Sequence, residues 1–187
     1  HTSSRRQRQM CIRDRTTPLI KVNAVRDLKA KVVLVGNNFD DALKESKTFC
    51  KENKVNFIHP FDDPLVIAGQ GTVGMEISEQ FPKNLYAVFV AVGGGGLIAG
   101  IGAYLNKVHP NVKIIGVEAA DSAGLHASVK AGKRIKLKEV GLFADGAAAK
   151  QIGKNNYELI KNFLDDSITV DTDEICAAVK DTFLETR

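Results

Sequence analysis

The segment covering residues 87–100, AVFVAVGGGGLIAG, constrains this 187-residue chain more than any other. The apolar run at 86–92 is too short to span a membrane and reads as a buried strand. It ends in four consecutive glycines, and a helical pattern follows at once, reaching about Val108. A strand that turns directly into a helix leaves unpaired N–H groups at the helix start, where the helix dipole is positive. Glycines let that backbone close on an anion without interference from side chains. A plain connecting turn needs only one or two glycines, and four lose much entropy on ordering. We therefore expect a phosphate-bearing ligand at Gly93, Gly94, Gly95 and Gly96.

The rest of residues 16–187 alternates between the two periodicities. Helices are expected at 19–28, 40–53, 65–81, 122–131, 157–164 and 172–186, with Asp40 and Thr172 as caps. Strands are expected at 31–35, 55–58, 86–92, 113–118 and 167–170. Short apolar strands alternating with helices imply a doubly wound α/β fold, a parallel sheet with helices on both faces. In such a sheet ligands bind at the carboxyl ends of the strands, which is where the glycines stand.

Charge argues against one class of partner for the body of the chain. Residues 1–15 hold five arginines and one aspartate, so the whole net charge of +4 lies there and the remaining 172 residues balance. A neutral body offers no electrostatic footprint for nucleic acid. The arginine-rich stretch has no apolar periodicity. It reads as an RNA-binding arm, a transit peptide or a non-native extension, and we expect the last, with a cofactor-binding catalytic domain over 16–187. Cys11, Cys50 and Cys176 are scattered, as are His1, His59, His109 and His126, so neither a disulfide framework nor a metal site is expected. No secretory leader and no membrane span is read.

Which phosphate ligand the loop takes is narrowed by resemblance. VGGGGLIAG resembles the cofactor phosphate loop of fold-type II pyridoxal-phosphate enzymes, of the tryptophan synthase β type. HPFDDPLVIAGQGTVGMEI (59–77), IIGVEAADSAG (114–124), GLFADGAAAKQIG (141–153) and ITVDTDEICAAVKDTF (168–183) are similar to the serine/threonine dehydratase and serine racemase branch. Within that branch, LFADGAAAK and VDTDEICAAVKD are most similar to the biosynthetic threonine dehydratases. The resemblance covers essentially all of 16–187. It implies pyridoxal 5'-phosphate as cofactor, held by Gly93, Gly94, Gly95, Gly96 and Leu97. It implies an amino-acid substrate, with L-threonine deaminated to 2-oxobutanoate and ammonia in isoleucine biosynthesis. It also implies a homo-oligomer, in the bacterial cytoplasm or in a plastid or mitochondrion.

The resemblance further implies a chain incomplete at both ends. The Ser-x-Lys-x-Arg-Gly-Ala motif that carries the family's Schiff-base lysine has no counterpart here, nor does its Ser-x-Gly-Asn loop. No catalytic residue is therefore assigned, and the isolated chain is expected to be inactive. Lys21 lacks the required neighbours and reads as a surface lysine. Glu118 matches the first carboxylate of the racemases' cation site, but the companion six residues on is Gly124, so no metal is expected. Asp62 and Asp63 read as loop-shaping residues between prolines, Asp145 as turn geometry, and Gln70 as helix packing. Two other classes remain at this point: a dinucleotide-binding oxidoreductase, with Glu118 ending the next strand, and a basic-armed nucleic-acid binder. A serine racemase or a catabolic dehydratase is the nearer alternative.

Overall fold

A computed structural model describes residues 10–37, 39–141 and 143–186. Two compact units result, 1–58 and 59–187. His1, most of the 1–15 segment and the Asp40 side chain lie outside the described residues, so the expectations for them have no counterpart here.

In the first unit, β1 (Met10–Arg13) pairs in parallel with β2 (Lys31–Leu34), and α1 (Leu19–Asp27) connects them. Residues 10–13 were left out of the fold by the sequence reading, yet Cys11 and Ile12 sit opposite Val32 and Val33. Two apolar residues facing two valines suffice for a half-buried ladder. Lys21 lies exposed on α1. The helix α2 (Phe39–Asn53) follows, but the strand expected at 55–58 does not form. Val55 and Ile58 are 50% and 70% exposed, and no neighbouring strand offers them a ladder among the described residues.

The second unit contains α3 (Pro64–Gln80), β3 (Ala87–Ala91), α4 (Gly96–Val108) and β4 (Lys113–Ala119). It continues with α5 (Gly124–Ala131), α6 (Lys154–Ile160), β5 (Leu164–Val170) and α7 (Thr172–Thr186). The strands form one parallel sheet in the order β3-β4-β5. The α/β class and the parallel strands are as expected. The core gathers on the side of Val90 and Ile114, against Ile98 and Leu105 of α4, Leu125 of α5 and Ile160 of α6. Each such side chain, once fully buried, contributes on the order of 1.5–3 kcal/mol. On the other side Phe89 stays 62% exposed.

Two boundaries and one cap differ from expectation for identifiable reasons. The helix expected at 157–164 runs over Lys154–Ile160, because Asp62, distant in sequence, accepts hydrogen bonds from the amides of Lys154 (2.9 Å) and Asn156 (3.2 Å) and so fixes its start. The strand after it begins at Leu164. The Asp165 carboxylate accepts from the Ile114 amide (2.7 Å) where the β4–β5 register slips. α7 is capped by Asp171 rather than Thr172: Asp171 Oδ1 accepts from the Glu174 amide and Glu174 Oε2 accepts from the Asp171 amide, both at 2.8 Å. That reciprocal pair is a capping box. Asp63, read only as loop-shaping, caps α3 by accepting from Leu65 (2.9 Å) and Val66 (3.3 Å), ahead of Pro64 in the first turn.

The glycines of α3 and α4 set how closely these helices approach. A Cβ at Gly100 would lie 2.4 Å from the carbonyl oxygen of Ile67, whereas one at Gly69 would meet nothing within 4 Å. Gly100→Ala should therefore destabilise by about 1–3 kcal/mol through overpacking. Gly69→Ala should stabilise by up to about 1 kcal/mol. Urea denaturation of both variants checks the pair, and equal effects would contradict the close helix contact.

Glu118 is 1% exposed and does the capping work for α5. Its carboxylate accepts from the amides of Leu125 (2.8 Å) and His126 (2.7 Å), while Ala123, at the helix start, offers no side-chain cap. Burial lifts its pKa above the usual glutamate value; the backbone amides, and then the nearby His126, oppose that lift but do not cancel it. A raised carboxyl pKa contributes stability below the unfolded value, and that contribution is lost as pH rises through the folded value. Wild type should therefore lose stability relative to Glu118→Gln as pH climbs from the ordinary glutamate range, as read by urea midpoints across pH. A gap that moves the other way would contradict this reading.

Candidate functional site

The glycine loop lies where expected, between the end of β3 and the start of α4. The ladder to β4 ends with the Val92 amide donating to Val117 (2.9 Å). Gly95 then takes φ +89°, a left-handed conformation that strains any residue with a Cβ. Through Gly95 the chain reverses into α4, whose first turn closes with the Ala99 amide donating to the Gly95 carbonyl (3.0 Å).

Three segments of the same unit pack against this loop. A Cβ on Gly93 would lie 2.7 Å from the carbonyl oxygen of Ala147, in the turn Asp145–Ala147. One on Gly94 would enter the Phe61 ring at 2.3 Å, and one on Gly96 would lie 2.8 Å from the Phe61 carbonyl oxygen. One on Gly95 would lie 2.8 Å from Ile152. The glycines are thus needed twice over, for the turn and for the absence of room on the packed side.

The polar groups of the loop divide by direction. The Gly94 carbonyl accepts from the Gly153 amide (3.0 Å) and from Asn156 Nδ2 (2.8 Å). By contrast, the amides of Gly93, Gly94, Gly95, Gly96 and Leu97 donate no hydrogen bond to any other described residue. Five successive unpaired N–H groups at the positive end of a 13-residue helix are the kind of arrangement that could cradle an anion. Leu97 is half-buried and its side chain packs against the core, so only its backbone belongs to the cradle.

The remaining candidates serve the frame. His59 Nδ1 accepts from the amides of Asp62 (2.9 Å) and Phe61 (3.3 Å), and its ring meets Phe61 edge-on with centroids 4.7 Å apart. His109 bonds Ser78 (2.8 Å), and His126 bonds the hydroxyl and carbonyl of Ser167 (both 2.9 Å). Gln70 is half-buried, with its backbone beside Gly100. Among the described residues no three His, Cys, Asp or Glu side chains converge as metal ligands would. Asp62 and Asn156 join the loop without any signal in the local sequence. Their contacts with the loop and its flank span 62 to 94 residues, and no local pattern announces them.

Comparison with known proteins identifies the family. The chain matches the family "Pyridoxal-phosphate dependent enzyme" over residues 8–186. It is 54% identical over 172 residues to the mitochondrial threonine dehydratase of Schizosaccharomyces pombe, covering 91% of this chain and 29% of that protein. It is 49% identical over 175 residues to the biosynthetic L-threonine dehydratase of Burkholderia multivorans, covering 92% of this chain and 34% of that protein. The solved structure of processed threonine deaminase isoform 2 from Solanum lycopersicum superposes with a TM-score of 0.89 at 43% identity, covering 95% of this chain and 52% of that one. The chain thus spans about a third of the length of these curated relatives. A glycine cradle at a strand-to-helix junction, in a parallel α/β unit matched along nearly its whole length, marks this chain as a member of the pyridoxal-phosphate-dependent enzyme family.

Proposed function

We propose that this chain is the phosphate-binding part of a biosynthetic threonine dehydratase, which converts L-threonine to 2-oxobutanoate and ammonia. The observation that carries the proposal is the row of five unpartnered amides at the start of α4, in a chain about half identical to threonine dehydratases. The N–H groups of Gly93, Gly94, Gly95, Gly96 and Leu97 would hold the phosphate of pyridoxal 5'-phosphate. The cradle suits that group, because it offers donors alone and the glycines have no side chains to occupy it. When bound, the cofactor's ring draws electrons from the α-carbon of an amino acid and acidifies its proton.

This chain's own residues bind and orient. The amides are fixed by the helix and the packed loop before the anion arrives, so little reorganisation accompanies binding. Phe61, Ala147 and Ile152 close the opposite side of the loop and keep it from collapsing onto its own donors. No lysine of the chain is assigned the covalent role. The substrate is a free amino acid and the working protein a homo-oligomer. It acts in the cytoplasm of a bacterium or in an organelle such as the mitochondrion named for the fission-yeast relative. No described helix is long and apolar enough to cross a membrane.

Gly94→Ala forces a methyl group into the Phe61 ring. We expect pyridoxal phosphate affinity to fall at least about tenfold, the loss of one to two charge-assisted hydrogen bonds. Equilibrium dialysis measures it, with inorganic phosphate displacing the cofactor from wild type. Unchanged affinity, or displacement by a nicotinamide dinucleotide but not by phosphate, would overturn the proposal. After borohydride reduction no single lysine of this chain should carry the cofactor. A stoichiometric label on one lysine would move the covalent role into the chain.

A further inference from the structure

The Gly94 carbonyl accepts two hydrogen bonds, both from the start of α6. Asn156, fully buried, donates through Nδ2 to Gly94 (2.8 Å) and to the carbonyl of Phe61 (2.9 Å). Both partners are acceptors, so the amide nitrogen must face them, and Oδ1 is left buried without a partner among the described residues. A buried unpaired amide oxygen costs free energy, about 1–3 kcal/mol. A leucine of nearly the same shape would fill this place without that cost. Asn156 is itself held in position: its backbone amide donates to Asp62 Oδ1 (3.2 Å), and the other oxygen of Asp62 accepts from Lys154 (2.9 Å). The Gly153 amide supplies the second bond to Gly94 (3.0 Å).

In a trans peptide the C=O of one residue and the N–H of the next point in opposite directions. All peptide bonds described here are trans. Holding the Gly94 oxygen against α6 therefore turns the Gly95 N–H away from α6. The Gly96 and Leu97 amides need no such help, because their direction is set by α4 itself. Gly95 also has no room on the packed side, since a Cβ there would meet Asn156 Cβ at 3.2 Å.

We propose that Asn156, braced by Asp62, is a positioning residue for the anion cradle: by fixing the Gly94 carbonyl it aims the Gly95 amide at the bound phosphate. The proposal rests on the reading of residues 93–97 as the phosphate site. It accounts for a fully buried asparagine with an unsatisfied oxygen, and for a carboxylate spent on the start of α6, as parts of one device. Asn156 is fully buried, so it acts on affinity through one amide.

The test is an amide-resolved titration of the isotope-labelled chain with inorganic phosphate. In wild type the amides of residues 93–97 should shift together. In Asn156→Leu the Gly95 amide should lose most of its response while Gly96 and Leu97 keep theirs, and phosphate affinity should fall at least several-fold. Asp62→Ala, which leaves the Asn156 side chain intact, should produce the same selective loss in weaker form, and it carries the test where the leucine variant does not fold. A uniform loss across 93–97, or an unchanged Gly95 response with only a lower melting temperature, makes Asn156 merely structural and overturns the proposal. Silence of all five amides in wild type overturns the phosphate reading itself, and the proposal with it.

Discussion

Everything in the second unit that bears on the proposed function depends on one constraint: a backbone that leaves successive donors without partners among the described residues while its Gly94 and Gly95 carbonyls are paired. The residues at 93–97 meet it because β3, α4 and the packed segments at 59–63, 145–147 and 152–156 each remove a different freedom. The Val92 amide anchors the incoming strand to Val117, Ala99 starts the outgoing helix, and the Gly94 carbonyl is tied to α6. An unpaired amide is costly when buried and useful when an anion stands before it. The fold places that cost where a ligand can repay it.

The surrounding packing follows from the same need. α4 starts at the loop and is among the most buried helices of the unit, with Ile98, Ala99 and Leu105 all at zero exposure. Gly100 lets α3 approach to contact distance. A helix held so firmly along its length cannot shift its first turn, so the direction of its dipole toward the loop is set by the core. Glu118 fixes the start of the neighbouring α5 in a comparable way, with a buried carboxyl serving as a cap that the local sequence lacks.

How much was legible beforehand depends on the range of the interactions involved. The strand–glycine–helix junction at 93–97 is local, and its position is read from residues that touch in sequence. The α/β class follows from periodicity alone. By contrast, Asp171 rather than Thr172 caps α7, because a reciprocal bond to Glu174 outweighs a hydroxyl one residue later. The 55–58 run has strand composition but no neighbouring strand among the described residues, and composition does not supply one. Asp62 was visible as a loop residue, whereas Asn156 stood just outside the helix expected at 157–164. Their convergence on the glycine loop and the start of α6 is tertiary, and no spacing rule connects positions so far apart.

On the proposed function, the amides of residues 93–97 hold the phosphate of pyridoxal 5'-phosphate. The most direct measurement is phosphorus-31 resonance of the cofactor titrated with the wild-type chain, together with magnetisation transfer from phosphorus to backbone amides. A saturable shift of the phosphate signal is expected, with transfer to the amides of Gly93, Gly94, Gly95, Gly96 and Leu97. A phosphate signal that does not move, or transfer only to lysine ammonium groups elsewhere on the chain, would contradict it.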